Sequence, residues 1–218
     1  MSYQTALFDL DGTLLDTIED LKDAVNHELA EEGDPPRSLE EITRFVGNGL
    51  RNLMLRSLPD GRSEEEIDRR TASMKAYYSA HSRVKTRPYP GMAELLRDLR
   101  AAGVAVAVVS NKADSVVKDL CEGYFPGGVD AAVGEIAGLP RKPAPDTVEL
   151  ALRQMGRGKE GAVYIGDSEV DVATARNAGL PCLSVTWGFR PRSVLEEAGA
   201  AVLIDSSEAL RRAILGED

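Results

Sequence analysis

The stretch Thr5-Ala6-Leu7-Phe8-Asp9-Leu10-Asp11-Gly12-Thr13 runs an apolar β-type segment straight into two aspartates. Side chains two apart on a strand point the same way, so Asp9 and Asp11 face one spot at the strand's carboxyl end while Phe8 and Leu10 face elsewhere. Two carboxylates held together repel unless a cation or proton intervenes, and a hard, oxygen-seeking ion such as Mg²⁺ is the simplest compensator. Read alone, the same residues also fit an ordinary Asp-Gly turn. A calcium loop is excluded, because Leu14 and Asp20 stand where its spacing requires Gly and Glu.

Working outward, further short β-type runs fall at Val104–Ser110, Ala131–Val133, Ala162–Ile165, Cys182–Thr186 and Ala201–Ile204. Helical patterns lie between the later ones, at Met92–Ala102, Ala113–Glu122, Asp146–Met155 and Val170–Ala178. This alternation predicts an α/β fold with a Rossmann-like parallel sheet, helices on both faces and ligands at the carboxyl ends of the strands. The first strand breaks the rhythm, for its connection to the next is far longer than usual. That interval reads as helical: Ile18–Glu32 carries Leu21, Val25 and Leu29 at four-residue spacing, and Ser38-x-x-Glu41 and Ser63-x-x-Glu66 resemble capping boxes. The expected organisation is a core of residues 1–15 and 88–218, with a helical cap of residues 16–87 inserted after the first strand.

The chain has 218 residues, 43% of them hydrophobic, which excludes disordered and fibrous classes. Its 26 Lys and Arg against 36 Asp and Glu leave a net charge of −10, so nucleic acid and anionic membranes are not expected partners. No apolar run approaches a membrane span and no signal peptide is recognisable, while Cys121 and Cys182 are too few for a disulfide framework; a cytoplasmic location is expected. Only His27 and His81 are available, which removes multi-histidine zinc sites and leaves the chemistry to carboxylates, Lys, Ser or Thr.

Other strand ends are equally polar. Val104–Val109 runs into Ser110-Asn111-Lys112, and Ala162–Ile165 into Gly166-Asp167-Ser168-Glu169-Val170-Asp171. Arg141-Lys142-Pro143-Ala144-Pro145 puts a lysine in a stiffened loop before a helix. Singly these read as a helix cap, an acidic helix start and a solvated loop. In a parallel sheet they converge, bringing together metal-binding carboxylates, an ammonium and small donors, the set that phosphoryl transfer requires. Trp187 and Phe189 read as packing residues, and the Glu64–Arg70 charge run as a solvated helix face.

Asp9-Leu10-Asp11-Gly12-Thr13, Ser110-Asn111, Lys142-Pro143 and Gly166-Asp167-x-x-x-Asp171 resemble, in order, the four motifs of the haloacid dehalogenase-like hydrolases. Phe45-Val46-Gly47-Asn48-Gly49-Leu50, Tyr89-Pro90-Gly91 and Thr186-Trp187-Gly188-Phe189 resemble more narrowly the bacterial phosphoglycolate phosphatases within that family. The resemblance implies a Mg²⁺-dependent phosphatase in which Asp9 attacks phosphorus and becomes an aspartyl phosphate, while Asp11 serves as general acid and then base. It further implies that Asp9, the Asp11 carbonyl, Asp167 and Asp171 form the metal site, Asp171 through water or by orienting its neighbours. Gly12, Ser110, Asn111 and Lys142 would hold the phosphoryl group.

The expected substrate is a small phosphorylated metabolite, 2-phosphoglycolate first, handled by a monomer or homodimer. A pyrophosphatase, a nucleotide phosphatase or a sugar phosphomutase could use the same core, and a catalytically silent binding protein could keep the fold. Asp11 and Asp167 count against a dehalogenase, which ordinarily needs neither. A lid must exclude bulk water during attack, and the insert is tethered at both ends for that work. Within it, Asn48 in Gly47-Asn48-Gly49 is the expected substrate contact, with Arg44 or Arg51 available to a carboxylate.

Overall fold

The computed structural model describes residues 2–217. In chain order the elements are β1 (Thr5–Phe8), β2 (Leu15–Asp16), α1 (Ile18–Glu31), α2 (Leu39–Phe45), α3 (Gly49–Ser57), α4 (Glu64–His81), β3 (Arg87–Pro88), α5 (Met92–Ala101) and β4 (Ala105–Ala113). They continue with α6 (Asp114–Tyr124), β5 (Ala131–Glu135), α7 (Asp146–Gln154), β6 (Ala162–Gly166), α8 (Glu169–Ala178), β7 (Cys182–Val185), α9 (Arg192–Glu197), β8 (Leu203–Ile204) and α10 (Ser207–Leu215).

Six strands form one sheet in the order β5-β4-β1-β6-β7-β8, and its pairings are parallel. Parallel strands need crossovers, and the helices that supply them cover the sheet, so β1 and β6 are buried at every position and read as apolar runs. On one face Leu7, Ala107, Val109, Val133 and Tyr164 pack with Val148, Ala151 and Leu152 of α7 and Ala175 and Ala178 of α8. The chain leaves β1 toward β4 and β5 on one side, then returns to build β6, β7 and β8 on the other. Strand order therefore reverses beside β1, where an open α/β sheet leaves a crevice at its carboxyl edge. The strand from Ala105 outruns its expected end at Ser110 and continues to Ala113, with a register irregularity after Val109. Helices α9 and α10 have no counterpart in the sequence reading; α10 is capped by the Ser206 hydroxyl, which accepts from the Ala209 N–H at 3.3 Å.

The chain divides into two compact units, Met1–Leu15 with Pro88–Asp218, and Asp16–Arg87. The second contains α1 to α4. Ser38 and Glu41 form both arms of a capping box at α2, at 2.8 and 3.2 Å. At α4 only one arm forms, with Ser63 accepting from the Glu66 N–H at 3.2 Å, because the Glu66 carboxylate turns to Arg62 at 3.1 Å. Buried Asp20 accepts from the backbone N–H groups of Lys85 and Thr86, each at 2.9 Å, and so fastens the start of α1 to the segment that leaves α4.

The solvated-face reading of Glu64–Arg70 fails at Arg70. Its side chain is 0% exposed, bonded to Asp34 and to the Glu28 carbonyl, and 3.3 Å from the Glu28 carboxylate. Helical periodicity explains the difference: Ile67, Arg70, Met74 and Tyr78 share the inward stripe of α4, and the guanidinium reaches acids brought in by α1 and the turn after it. Arg70→Ala would leave the Glu28 carboxylate buried without its cation, so it should cost about 3–5 kcal/mol. Arg69→Ala, which removes only a surface pair with Glu32, should cost about 0–1 kcal/mol. Urea denaturation of the two variants beside the wild type checks this contrast.

Candidate active site

Asp9 follows β1 directly, with its N–H donating to the Ile165 carbonyl at 2.8 Å, which holds it between β1 and β6. Its Oδ1 accepts from the Leu10 N–H at 2.7 Å and lies 2.8 Å from Lys142 Nζ. Lys142, in the loop between β5 and α7, also donates to Asp171 Oδ1 at 2.8 Å and to the Tyr164 hydroxyl at 3.1 Å. That hydroxyl donates in turn to Asp171 Oδ1 at 3.1 Å, while Asp171 Oδ2 accepts from the Ser168 hydroxyl at 2.6 Å and the Ser168 N–H at 3.1 Å. Three stretches of chain, after β1, before α7 and from β6 into α8, thus meet at the carboxyl end of the sheet.

Asp9, Asp167 and Asp171 offer carboxylate oxygens that all lie within 4.8 Å of one another, and all three residues are buried. Burial first, then the charge on Asp171, pushes the Asp9 carboxyl well above the usual range despite the pull of Lys142. The same two causes raise Asp167 to about 7, opposed by the Phe189 N–H. Burial works against the Lys142 ammonium, yet Asp171 and Asp9 hold it well above the ordinary lysine value. Three carboxylates against one ammonium leave excess negative charge in a desolvated place. An all-oxygen donor set of this kind can hold a hard divalent cation, which would take up that excess.

Asp11 stands apart from the carboxylate cluster. Its Oδ1 pairs with Lys112 Nζ at 3.0 Å, so its side chain is not among the converging oxygens, and a metal role would rest on its carbonyl. The Gly12 N–H donates to the Leu15 carbonyl at 2.9 Å. What the position requires is the missing side chain, because at φ +83° a Cβ would sit 2.3 Å from Asp167 Oδ2. Ser110 Oγ accepts from the Lys112 N–H at 3.2 Å, which leaves its own O–H to donate. Asn111 Nδ2 donates to the Lys142 carbonyl at 3.1 Å and ties the two loops together.

Asn48 belongs to the helical unit, as the N-cap of α3, and makes no side-chain cap bond. Arg51 pairs with Asp68 at 2.6 Å and Glu64 at 2.5 Å within that unit, which removes it as a ready partner for a substrate carboxylate. Burial pushes the thiols of Cys121 and Cys182 up to about 12, so neither is a nucleophile at neutral pH. Sequence reasoning misses Tyr164, which lies inside the apolar strand β6, and assigns no role to Lys112 although it stands in the polar strand end Ser110-Asn111-Lys112. The residues after β7, read as packing, also reach the site. Phe189 N–H donates to Asp167 Oδ2 at 2.7 Å, and Trp187 Nε1 to the Thr13 carbonyl at 3.1 Å.

Comparison with known proteins places these residues in a family. A family model described as haloacid dehalogenase-like hydrolase matches residues 6–185. Phosphoglycolate phosphatase 1 of Pseudomonas aeruginosa is 34% identical over 207 residues, 92% of this chain and 75% of that protein. The phosphoglycolate phosphatase of Cereibacter sphaeroides strain ATCC 17025 is 38% identical over 194 residues, 84% of this chain and 85% of that protein. The crystal structure of a candidate phosphoglycolate phosphatase from Lactobacillus delbrueckii subsp. bulgaricus superposes with a TM-score of 0.93 at 39% identity, covering 100% of both chains. Among the described residues no helix is long and apolar enough to cross a membrane.

The raised carboxyls fix how a cation and pH combine. A group that holds its proton more tightly folded than unfolded makes the folded state less stable as pH rises between the two values, here from about 4 for a free carboxyl to about 7 for Asp167. A divalent cation on the cluster replaces those protons and removes the penalty. Thermal unfolding followed with and without Mg²⁺ should therefore show a gain in Tm that is small at pH 5 and large at pH 8, and Asp167→Asn should shrink it. An equal gain at both pH values would contradict the assignment.

Proposed function

The chain belongs to the haloacid dehalogenase-like hydrolases, and from that premise we propose that it is a Mg²⁺-dependent phosphatase hydrolysing 2-phosphoglycolate through a phosphoaspartate on Asp9. One observation supports the reading: Asp9, Asp167 and Asp171 offer carboxylate oxygens within 4.8 Å of one another beside the Lys142 ammonium. The two donors to the Asp9 carboxylate both fall on Oδ1, so Oδ2 is the oxygen available for attack. Asp9 Oδ2 attacks phosphorus, the bond to the ester oxygen breaks, and its electron pair leaves with the glycolate oxygen. Asp11 gives that oxygen a proton. It then takes one from the water that attacks the phosphoaspartate, which releases phosphate and restores Asp9. The ammonium of Lys142, kept charged by Asp171, and the Ser110 O–H hold the phosphoryl oxygens. Mg²⁺, held by Asp9, Asp167 and the Asp11 carbonyl, would neutralise charge on the phosphoryl group and keep Asp9 ionised.

Residues 16–87 supply the cap on this reading. A carboxylate attacking phosphorus must be shielded from bulk water, and the unit is inserted in the chain immediately after the Asp9–Asp11 segment. Asn48 and Arg44 are its candidates for reading the glycolate carboxylate. The experiment is phosphate release from 2-phosphoglycolate, a carboxylate-free alkyl phosphate and a nitrophenyl phosphate. Asp9→Asn should abolish turnover of all three while remaining folded. Asp11→Asn should lower kcat by about 10²–10⁴-fold for the alkyl phosphates and least for the nitrophenyl ester, whose leaving group needs no proton. If neither Asn48→Ala nor Arg44→Ala changes the preference for the carboxylate-bearing substrate, these two residues do not read it.

A further inference from the structure

The residues after β7 are built around one carboxylate. Gly188 and Gly12, from separate loops, close on Asp167: a Cβ on Gly188 would meet Asp167 Oδ2 at 2.4 Å and Asp167 Cβ at 2.3 Å, and a Cβ on Gly12 would meet the same Oδ2 at 2.3 Å. Real Cβ atoms do not approach so closely, so both positions are held open for this side chain. Each carboxylate oxygen then receives one protein donor. The Phe189 N–H reaches Oδ2 at 2.7 Å and the Thr13 hydroxyl reaches Oδ1 at 3.2 Å. Thr13 is itself fixed, because its carbonyl accepts from Trp187 Nε1 at 3.1 Å. An ionised carboxylate has about four lone-pair directions, so one bond on each oxygen sets its orientation and still leaves a direction on each for a ligand.

We propose that Trp187, Gly188 and Phe189, together with Thr13, form a strap that fixes the orientation of the Asp167 carboxylate and thereby sets the affinity of the site for its divalent cation. The inference rests on the reading of Asp167 as a metal ligand. A carboxylate free to rotate must lose that freedom when a cation binds, whereas one already clamped between two glycines and two donors has lost it on folding. Trp187 is a positioning residue in this scheme and touches no reacting atom. Its indole N–H steadies the Thr13 backbone, and Thr13 steadies Asp167.

The test measures cation binding directly on the purified full chain. Mn²⁺, which is paramagnetic and takes oxygen ligands, is titrated and the free ion read by electron paramagnetic resonance, with Mg²⁺ added as competitor. Trp187→Phe removes one N–H and keeps most of the ring volume, and Thr13→Val removes one hydroxyl and keeps the shape. Each should weaken Mn²⁺ and Mg²⁺ binding by about 10-fold, within the range that partners of metal ligands command, while the Tm without cation stays near that of the wild type. Gly188→Ala, which must displace Asp167, should weaken binding further. Should Trp187→Phe not fold, Thr13→Val gives the same reading. Wild-type affinity in a folded Trp187→Phe or Thr13→Val protein overturns the strap but leaves the metal site standing. Failure of the wild type to bind either cation overturns both.

Discussion

Like charges buried at one spot repel, and this constraint organises the carboxyl end of the sheet. Asp9, Asp167 and Asp171 are brought together in the interior, where water screens little of their repulsion. Lys142 answers part of it by bridging Asp9 and Asp171, and Tyr164 and Ser168 complete the hydrogen bonds of Asp171. Burial first, and then the charge of Asp171, make Asp9 and Asp167 resist ionising. A cluster that is short of positive charge can take a cation, and in the proposed reaction that cation would offset the repulsion between an anionic phosphate and an anionic nucleophile.

Parallel topology makes such a gathering possible. Because β1, β4 and β6 run the same way, the segments that follow them emerge on one edge, and the switch of strand order beside β1 opens room there. Close approach comes from glycine. Gly166 lies where a Cβ would be 2.3 Å from Asp171 Cβ, just as Gly12 and Gly188 make space for Asp167. Even Tyr164 serves both levels: its ring packs in the core under α7 and α8, and its hydroxyl stands at the site. Core and site are continuous, so the fold positions the chemistry without a separate framework.

The sequence makes some of this legible and conceals the rest for physical reasons. An aspartate pair that ends an apolar strand violates burial rules, so Asp9 and Asp11 announce themselves, and the alternation of strand and helix tells where Ser110 and Asp167 must emerge. Residue type also points to Lys142, since a lysine beside two prolines is held in a stiff loop. Tyr164 gives no such signal, because strand periodicity says which face a ring takes but not what its hydroxyl reaches. Phe189 acts through a backbone N–H, which every residue but proline carries, and Gly12 through the atom it lacks. Arg70 sits in a run of charges whose composition reads as solvent-facing, and only its register with Ile67, Met74 and Tyr78 turns it inward.

Arg70 and Lys142 show how a structural charge cluster differs from a functional one. Each is a fully or nearly fully buried cation facing acids from other segments. Around Arg70 the guanidinium's hydrogen bond holds Asp34 below the ordinary carboxylate value, so that its charged form is favoured. At Asp9 the direction reverses, because burial and then the charge of Asp171 outweigh the pull of Lys142. The Lys142 ammonium is shared between Asp9 and Asp171, whereas the Arg70 guanidinium reaches the Asp34 carboxylate and the Glu28 backbone carbonyl from one planar group.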